Sequence, residues 1–109
     1  LALMASGMNG QSFTFNGYLP IDGSERKSAI KRMEKVSREL NQSQIFIETP
    51  YRNDKLMADL LRTLSSGCMV CVACDITLST EYIATKSVLE WQKVPLDLHK
   101  RPTIFIIHA

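Results

Sequence analysis

Three cysteines recur at a spacing of three residues, a pattern that also occurs in part of many iron–sulfur sites. Cys68, Cys71 and Cys74 are the only cysteines among the 109 residues, whereas a cluster normally needs a fourth ligand. The apolar run around them predicts a buried strand, on which Cys71 faces the opposite side from the other two. Because the thiolates then diverge, we expect buried cysteines in a reducing cytoplasm and no bound metal.

Two short polar clusters each follow an apolar, strand-like run. Residues 48–52 follow the run 45–47, and residues 75–77 follow the run that ends at Cys74. In open sheets with helical crossovers, ligands gather at the carboxyl ends of parallel strands. Both clusters would lie on that edge, beside the residues that enter the last strand if that strand is antiparallel. The alternative that stays open is ordinary turn chemistry, with Glu48 and Asp75 as turn formers.

A basic segment provides the third candidate for chemistry. Residues 22–40 contain six basic and four acidic side chains, so their net charge of +2 equals that of the whole chain. One interpretation is a surface that contacts RNA phosphates, with Lys27, Lys31 and Lys35 as the contacts. The other is a solvated helix face, which needs no partner.

Composition excludes several classes of protein. With 22% charged and 45% hydrophobic residues, the chain is typical of one folded domain rather than of a disordered segment. The five glycines are scattered, so neither a dinucleotide fingerprint nor a phosphate loop is present. No stretch approaches the roughly 20 apolar residues of a membrane helix. His99 and His108 lack the spacing of metal ligands, and we find no hydrolase constellation.

The elements that must position these residues alternate between strands and helices. The pattern predicts a single α/β domain with a mixed five-stranded sheet packed with helices. Asp22 and Asn41 are the predicted caps of the first helix, and Asn53 is the predicted N-cap of the second. Helices between the early strands imply parallel pairing, and their absence after the third strand favours antiparallel pairing there. The predicted strands are residues 12–19, 44–47, 69–73, 82–88 and 103–107.

The beginning of the chain suggests a fragment. The first residue is leucine, and residues 1–7 are typical of the last turns of an apolar helix that ends at Gly7. We therefore expect further chain upstream.

Ordered short blocks along the whole chain resemble one protein family. The blocks are residues 15–20 (Phe-Asn-Gly-Tyr-Leu-Pro), 45–52 (Ile-Phe-Ile-Glu-Thr-Pro-Tyr-Arg), 74–77 (Cys-Asp-Ile-Thr) and 102–104 (Pro-Thr-Ile). In this order, with the basic helix between the first two, they resemble the C-terminal domain of the tetrapyrrole (corrin/porphyrin) methylases. The resemblance runs over residues 1–109.

Within the family, the blocks look closest to the branch that methylates a ribose 2′-hydroxyl of small-subunit ribosomal RNA. Glu48, Arg52 and Thr77 match that branch, whereas its histidine and flanking basic residues are missing here. Pro102 resembles the tetrapyrrole-modifying members instead. The resemblance therefore implies a methyltransferase whose substrate is either a tetrapyrrole or a ribosomal RNA ribose.

The resemblance also implies the cofactor and the architecture. The cofactor would be S-adenosylmethionine, held in a cleft between this domain and an N-terminal domain that carries the glycine-rich loop and lies outside this chain. The fragment alone would be inactive, and the whole protein would be a cytoplasmic homodimer. The residues that would contact the cofactor are Glu48, Ile76, Thr77, Pro102 and Thr103.

The chemistry of the acceptor suggests further candidates. A ribose hydroxyl needs a general base or a strong hydrogen-bond acceptor, and Glu48 and Asp75 are the candidates in this chain. The candidates for contact with the substrate or RNA are Lys27, Lys31, Lys35, Tyr51 and Arg52. Two readings from other functional classes stay open: a self-standing RNA-binding module and a purely structural dimerisation domain.

Overall fold

The computed structural model describes residues 12–109 as alternating strands and helices. The strands are β1 (Phe13–Tyr18), β2 (Ser43–Ile47), β3 (Met69–Cys74), β4 (Tyr82–Ser87) and β5 (Thr103–His108). The helices are α1 (Gly23–Leu40), α2 (Asn53–Thr63) and the one-turn α3 (Val88–Trp91), with a 3-10 turn at Pro50–Arg52. The helix end expected over residues 1–7 lies outside the described residues.

The five strands form one mixed sheet in the order β1-β2-β5-β3-β4. The pair β1–β2 is parallel, as expected for strands joined by a helix. The other three pairs are antiparallel. Strand β5 lies between β2 and β3, so β1, β2 and β3 all point the same way. This confirms the α/β class and the mixed five-stranded sheet.

The three helices pack on one face of the sheet, where the main core lies. Ile30 of α1, Leu60 of α2 and Trp91 of α3 belong to one buried cluster with the aromatic side chains of β2 and β5. Phe46 and Phe105 stack in this core with their ring centroids 5.7 Å apart. Among the described helices, none is long and apolar enough to cross a membrane.

The caps of α1 are those that the sequence predicts. The carboxylate of Asp22 accepts a hydrogen bond from the Glu25 backbone N–H at 3.1 Å. Asn41 ends the helix in the left-handed conformation with φ of 49°, which asparagine adopts more readily than most residues. The Asp22 side chain thus satisfies a backbone N–H at the start of the helix, and the Asn41 backbone N–H donates to the Ser37 carbonyl at its end.

The predicted N-cap of α2 is wrong. Asn53 lies inside the helix, and its preceding residue makes no side-chain cap. The Asn53 side chain is fully buried and donates instead to the carbonyls of Leu98 at 3.2 Å and Arg101 at 2.7 Å. It thereby ties α2 to the segment that leads into β5. Long-range acceptors in a buried site have taken the place of the local capping bond.

The opposite face of the sheet carries a smaller apolar cluster. Cys71, Ala73 and Ile106 are its buried members, and isoleucines from several strands surround them. On edge strand β1, Gly17 adopts a φ of 67° where the pairing with β2 shifts register. A residue with a Cβ atom would be strained at this angle, so the glycine permits the irregularity.

The stacked phenylalanine gives a test of the core. Replacing Phe46 with alanine leaves a cavity under the helices and should lower the free energy of unfolding by about 3 to 5 kcal/mol. Phe15→Ala is the matched control on the neighbouring strand, because that ring is 61% exposed. Urea denaturation measures both variants. Equal losses for the two would contradict this placement of the core.

Candidate functional site

The carboxyl ends of β1, β2 and β3 meet the amino ends of β4 and β5 at one edge of the sheet. Ile104 of β5 pairs with both Ile47 and Ala73, and Thr103 pairs with Cys74. The residues that follow β2 and β3 therefore flank the start of β5. This confirms the prediction that both polar clusters lie on the same edge, beside an antiparallel final strand.

A groove of about 360 Å³ opens at this edge. The floor of the groove is formed by Ile47, Ala73 and Ile104, on the sheet face opposite the helices. Its rim is formed by the connecting segments. Its lining consists of Ile47, Glu48, Pro50, Ala73, Ile76, Pro102, Thr103 and Ile104. A more open depression of about 380 Å³ lies along α1. That depression is built by Pro20 and one helix surface, whereas the groove is built where separate elements converge.

The groove brings together four of the five residues expected to contact a cofactor. Glu48, Ile76, Pro102 and Thr103 line it, whereas Thr77 is not among the lining residues. Thr77 is exposed and has a φ of 69°. Its N–H donates to the Glu81 carboxylate at 2.8 Å, which holds the turn after β3.

A buried arginine holds the Glu48 side chain on the helix side of this edge. Arg26 of α1 is only 2% exposed, and its guanidinium donates to the Glu48 carboxylate. The same guanidinium contacts Asp59 of α2 at 3.3 Å, and its Nε donates to the Pro20 carbonyl at 2.9 Å. One side chain thus joins α1, α2 and the ends of β1 and β2.

The remaining oxygen of Glu48 is also engaged. It accepts from the Thr49 N–H at 2.8 Å and contacts Arg52 Nε at 3.4 Å. Both oxygens of this carboxylate are thus engaged by donors of the protein. The arrangement suits a residue that fixes the backbone at the groove better than it suits a general base.

The second predicted carboxylate is held in the same manner. Arg101 donates through Nε to Asp75 at 2.7 Å, and the Thr80 hydroxyl donates to the same oxygen at 2.9 Å. The hydrogen bond from Arg101 lowers the pKa of Asp75 below its usual value. Backbone bonding adds to this contact, because the Asp75 N–H donates to the Pro102 carbonyl at 2.9 Å. The segments after β3 and before β5 are therefore joined at the groove.

The candidates for contact with RNA fall into two groups. Lys27, Lys31 and Lys35 are exposed on α1, which packs on the sheet face opposite the groove. Tyr51 and Arg52 lie in the 3-10 turn that follows the Glu48 segment, at the groove edge. The two groups therefore lie on different elements, and only the turn adjoins a residue that lines the groove, Pro50.

Sequence reasoning missed Arg26, Asp59 and Arg101 as parts of the site. Net charge alone does not distinguish Arg26 from the other basic residues of the first helix. The signal was available, because Arg26, Ile30, Met33 and Ser37 recur at the spacing of one helix face. An arginine on a buried stripe predicts a buried acidic partner. Arg101 gives no comparable signal, since its partner Asp75 is 26 residues away in the sequence.

The cysteines are buried and free, with their side chains on both faces of the sheet. Burial raises the pKa of Cys68 to about 12 and also raises those of Cys71 and Cys74. Among residues 12–109, no group of histidine, cysteine and acidic side chains has the arrangement of a metal site.

These thiols should react slowly in the folded protein. At pH 8 they stay protonated and shielded, so labelling by a disulfide reagent should follow the opening of the structure. Labelling of all three within seconds in native buffer would contradict the burial. As a control, rapid labelling after addition of denaturant shows that the reagent is active and that the thiols are reduced.

The buried arginine gives a second test. Arg26→Leu leaves the Glu48 carboxylate buried without its partner and should lower the free energy of unfolding by about 3 to 5 kcal/mol. The control is Lys35→Ala, because the exposed pair of Lys35 with Glu39 should contribute less than about 0.5 kcal/mol. Denaturant unfolding measures both. Adding Glu48→Leu to Arg26→Leu should recover part of the loss, and no recovery would contradict the pairing.

Known proteins with similar sequences match nearly the whole chain. The chain is 31% identical over 99% of its length to the ribosomal RNA small subunit methyltransferase I of Vibrio cholerae, of which it covers 37%. It is 29% identical over 97% of its length to the same-named protein of Buchnera aphidicola, again covering 37% of it. It is 31% identical over 97% to that of Leptospira borgpetersenii, covering 42%. The chain thus spans about two fifths of the length of these relatives.

A solved structure shares the fold. The crystal structure of the methyltransferase CobJ matches 99% of this chain with 46% of its own, at a TM-score of 0.60 and 15% identity. No family model matches the chain. The relatives nevertheless extend over nearly all of the sequence, and the fold agrees with the one that the short blocks implied. The chain is therefore similar over nearly its whole length to part of the ribosomal RNA small subunit methyltransferases I, and it shares the fold of the methyltransferase CobJ.

Proposed function

We propose that this chain is the C-terminal part of an S-adenosylmethionine-dependent methyltransferase that acts on small-subunit ribosomal RNA. The groove at the sheet edge carries the proposal, because it unites residues from β2, β3, β5 and their connections in one concave site. The names of the sequence relatives support the methyltransferase class and favour ribosomal RNA over a tetrapyrrole as substrate.

The lining of the groove fits the adenosine end of the cofactor. Ligand sites are concave and mostly apolar, with volumes of about 300 to 1,000 Å³, and the groove lies in this range. Ile47, Ala73 and Ile104 offer an apolar floor for a flat ring. Pro102 and Thr103 bring backbone to the rim, where the polar edge of a base would find partners. When bound, the cofactor would supply an electrophilic methyl group on a sulfonium.

The residues of this chain would hold that cofactor rather than perform the chemistry. The contact of Arg26 with Glu48 fixes the backbone after β2. The contact of Arg101 with Asp75 joins the other two segments of the rim. Fixed walls reduce the loss of conformational entropy on binding. We therefore assign positioning roles to Glu48 and Asp75, and expect the general base to be another group.

The rest of the proposal concerns the whole protein. The family resemblance supports an N-terminal domain with a glycine-rich loop, a homodimer and a location in the cytoplasm. Methyl transfer aligns nucleophile, methyl and sulfur, which a cleft between two domains can do by proximity. The test is transfer of labelled methyl from S-adenosylmethionine to small ribosomal subunits by the full-length protein. Transfer to uroporphyrinogen and not to the subunits would refute ribosomal RNA as the substrate.

A charged substitution in the groove tests the cofactor site separately. In the full-length protein, Ile76→Asp should weaken binding of S-adenosylmethionine at least tenfold, because an unpaired carboxylate would lie where the ring packs. Leu78→Asp on the same connecting segment is the control, since Leu78 is 57% exposed and does not line the groove. Calorimetry measures both. Equal affinities for the two variants would rule out this groove as the cofactor site.

A further inference from the structure

An exposed aromatic and basic patch lies beside the groove. It consists of Tyr51 and Arg52 in the 3-10 turn and of His99 and Lys100 in the segment before β5, and we call it the rim patch. Tyr51 is 70% exposed, and its ring centroid lies 5.7 Å from that of His99, at an interplanar angle of 72°. Because most of its surface is open, the tyrosine keeps at least one ring face free for stacking.

The backbone under the rim patch is held at several points. The Lys100 N–H donates to the Pro50 carbonyl at 3.0 Å, which joins the two segments directly. The Asp54 carboxylate accepts from the Leu98 N–H at 2.8 Å, and Lys100 adopts a φ of 62°. The buried Asn53 amide adds its bonds to the same segment. The exposed side chains therefore project from a fixed frame, which suits recognition.

Two cationic side chains of the rim patch are accessible to an anionic partner. Lys100 is exposed, and 40% of the Arg52 side chain is exposed although its Nε contacts the Glu48 carboxylate at 3.4 Å. The carboxylates behind them, Glu48 and Asp75, are buried and paired with arginines. The exposed carboxylates nearby are those of Asp54 and Asp97, which accept from the Leu98 and His99 backbone N–H groups at 2.8 Å and 3.0 Å.

We propose that the rim patch binds a single-stranded segment of the RNA substrate, with one unpaired base stacked on Tyr51. The backbone phosphates of that segment would contact Lys100 and Arg52. Proteins recognise unpaired RNA by this combination of an aromatic platform and basic side chains. The inference rests on the proposed function and adds the face from which RNA approaches the groove. It also favours the rim patch over the lysines of α1, because the rim patch adjoins Pro50 and Pro102, which line the groove.

The test uses the full-length protein and small ribosomal subunits as substrate. Tyr51→Ala should raise KM for the subunits at least about fivefold, the lower end of a one-base stacking contribution. The kcat and the affinity for S-adenosylmethionine should stay within about twofold of wild type. Tyr51→Phe should restore KM, because it keeps the ring. A merely structural role for Tyr51 would change the unfolding midpoint and would not separate KM from kcat.

A second variant tests the phosphate contact. Binding of a short single-stranded oligoribonucleotide is measured over a series of salt concentrations. Lys100→Ala should reduce the slope of log affinity against log salt by about one counterion. The control is Lys93→Ala, an exposed lysine after α3 that lies outside the rim patch, and its slope should equal that of wild type.

The outcomes distinguish a failure of RNA binding by the rim patch from a failure of the proposed methyltransferase function. If the wild-type protein methylates the subunits and Tyr51→Ala keeps the wild-type KM, the rim patch is refuted and the function stands. If the wild-type protein methylates a tetrapyrrole and not the subunits, both are refuted. Equal slopes for Lys100→Ala and Lys93→Ala would also refute the phosphate contact.

Discussion

The buried guanidinium of Arg26 is the interaction on which the sheet edge depends. A charge that is 2% exposed must be neutralised and hydrogen-bonded, because an isolated buried ion costs several kcal/mol. Glu48, Asp59 and the Pro20 carbonyl meet this requirement from three different elements. The positions of those elements are thereby coupled, and the backbone after β2 is fixed where it lines the groove. Local geometry at the site thus follows from the need to satisfy one side chain.

A second ion pair completes the frame on the other side of the groove. Arg101 and Asp75 join the segments around β3 and β5, while the groove floor is made by apolar side chains between them. The two carboxylates that the sequence offers as general bases are therefore both engaged by arginines. This leaves a site whose walls are rigid and whose apolar floor suits a flat ligand.

Periodicity and cap residues were enough to predict the class, the number of strands and the edge at which the polar clusters meet. They also predicted the divergent cysteines, because strand alternation is a local property. The insertion of β5 between β2 and β3 was not predictable from local pattern, since it depends on pairings across more than 50 residues. The role of Asn53 was misjudged for the same reason. Its acceptors lie 45 and 48 residues away in the sequence, so a capping rule that uses only neighbouring residues does not include them. The short helix α3 could be predicted from local sequence, because Ser87 and Glu90 form a capping box at its start.

The most direct test of the account is a structure of the full-length protein with S-adenosylhomocysteine bound. The adenine should lie in the groove, against Ile76 and Ile104, with its polar edge at the Pro102–Thr103 backbone. The Arg26–Glu48 contact should be unchanged by the ligand. A bound cofactor that makes no contact with these residues would contradict the account.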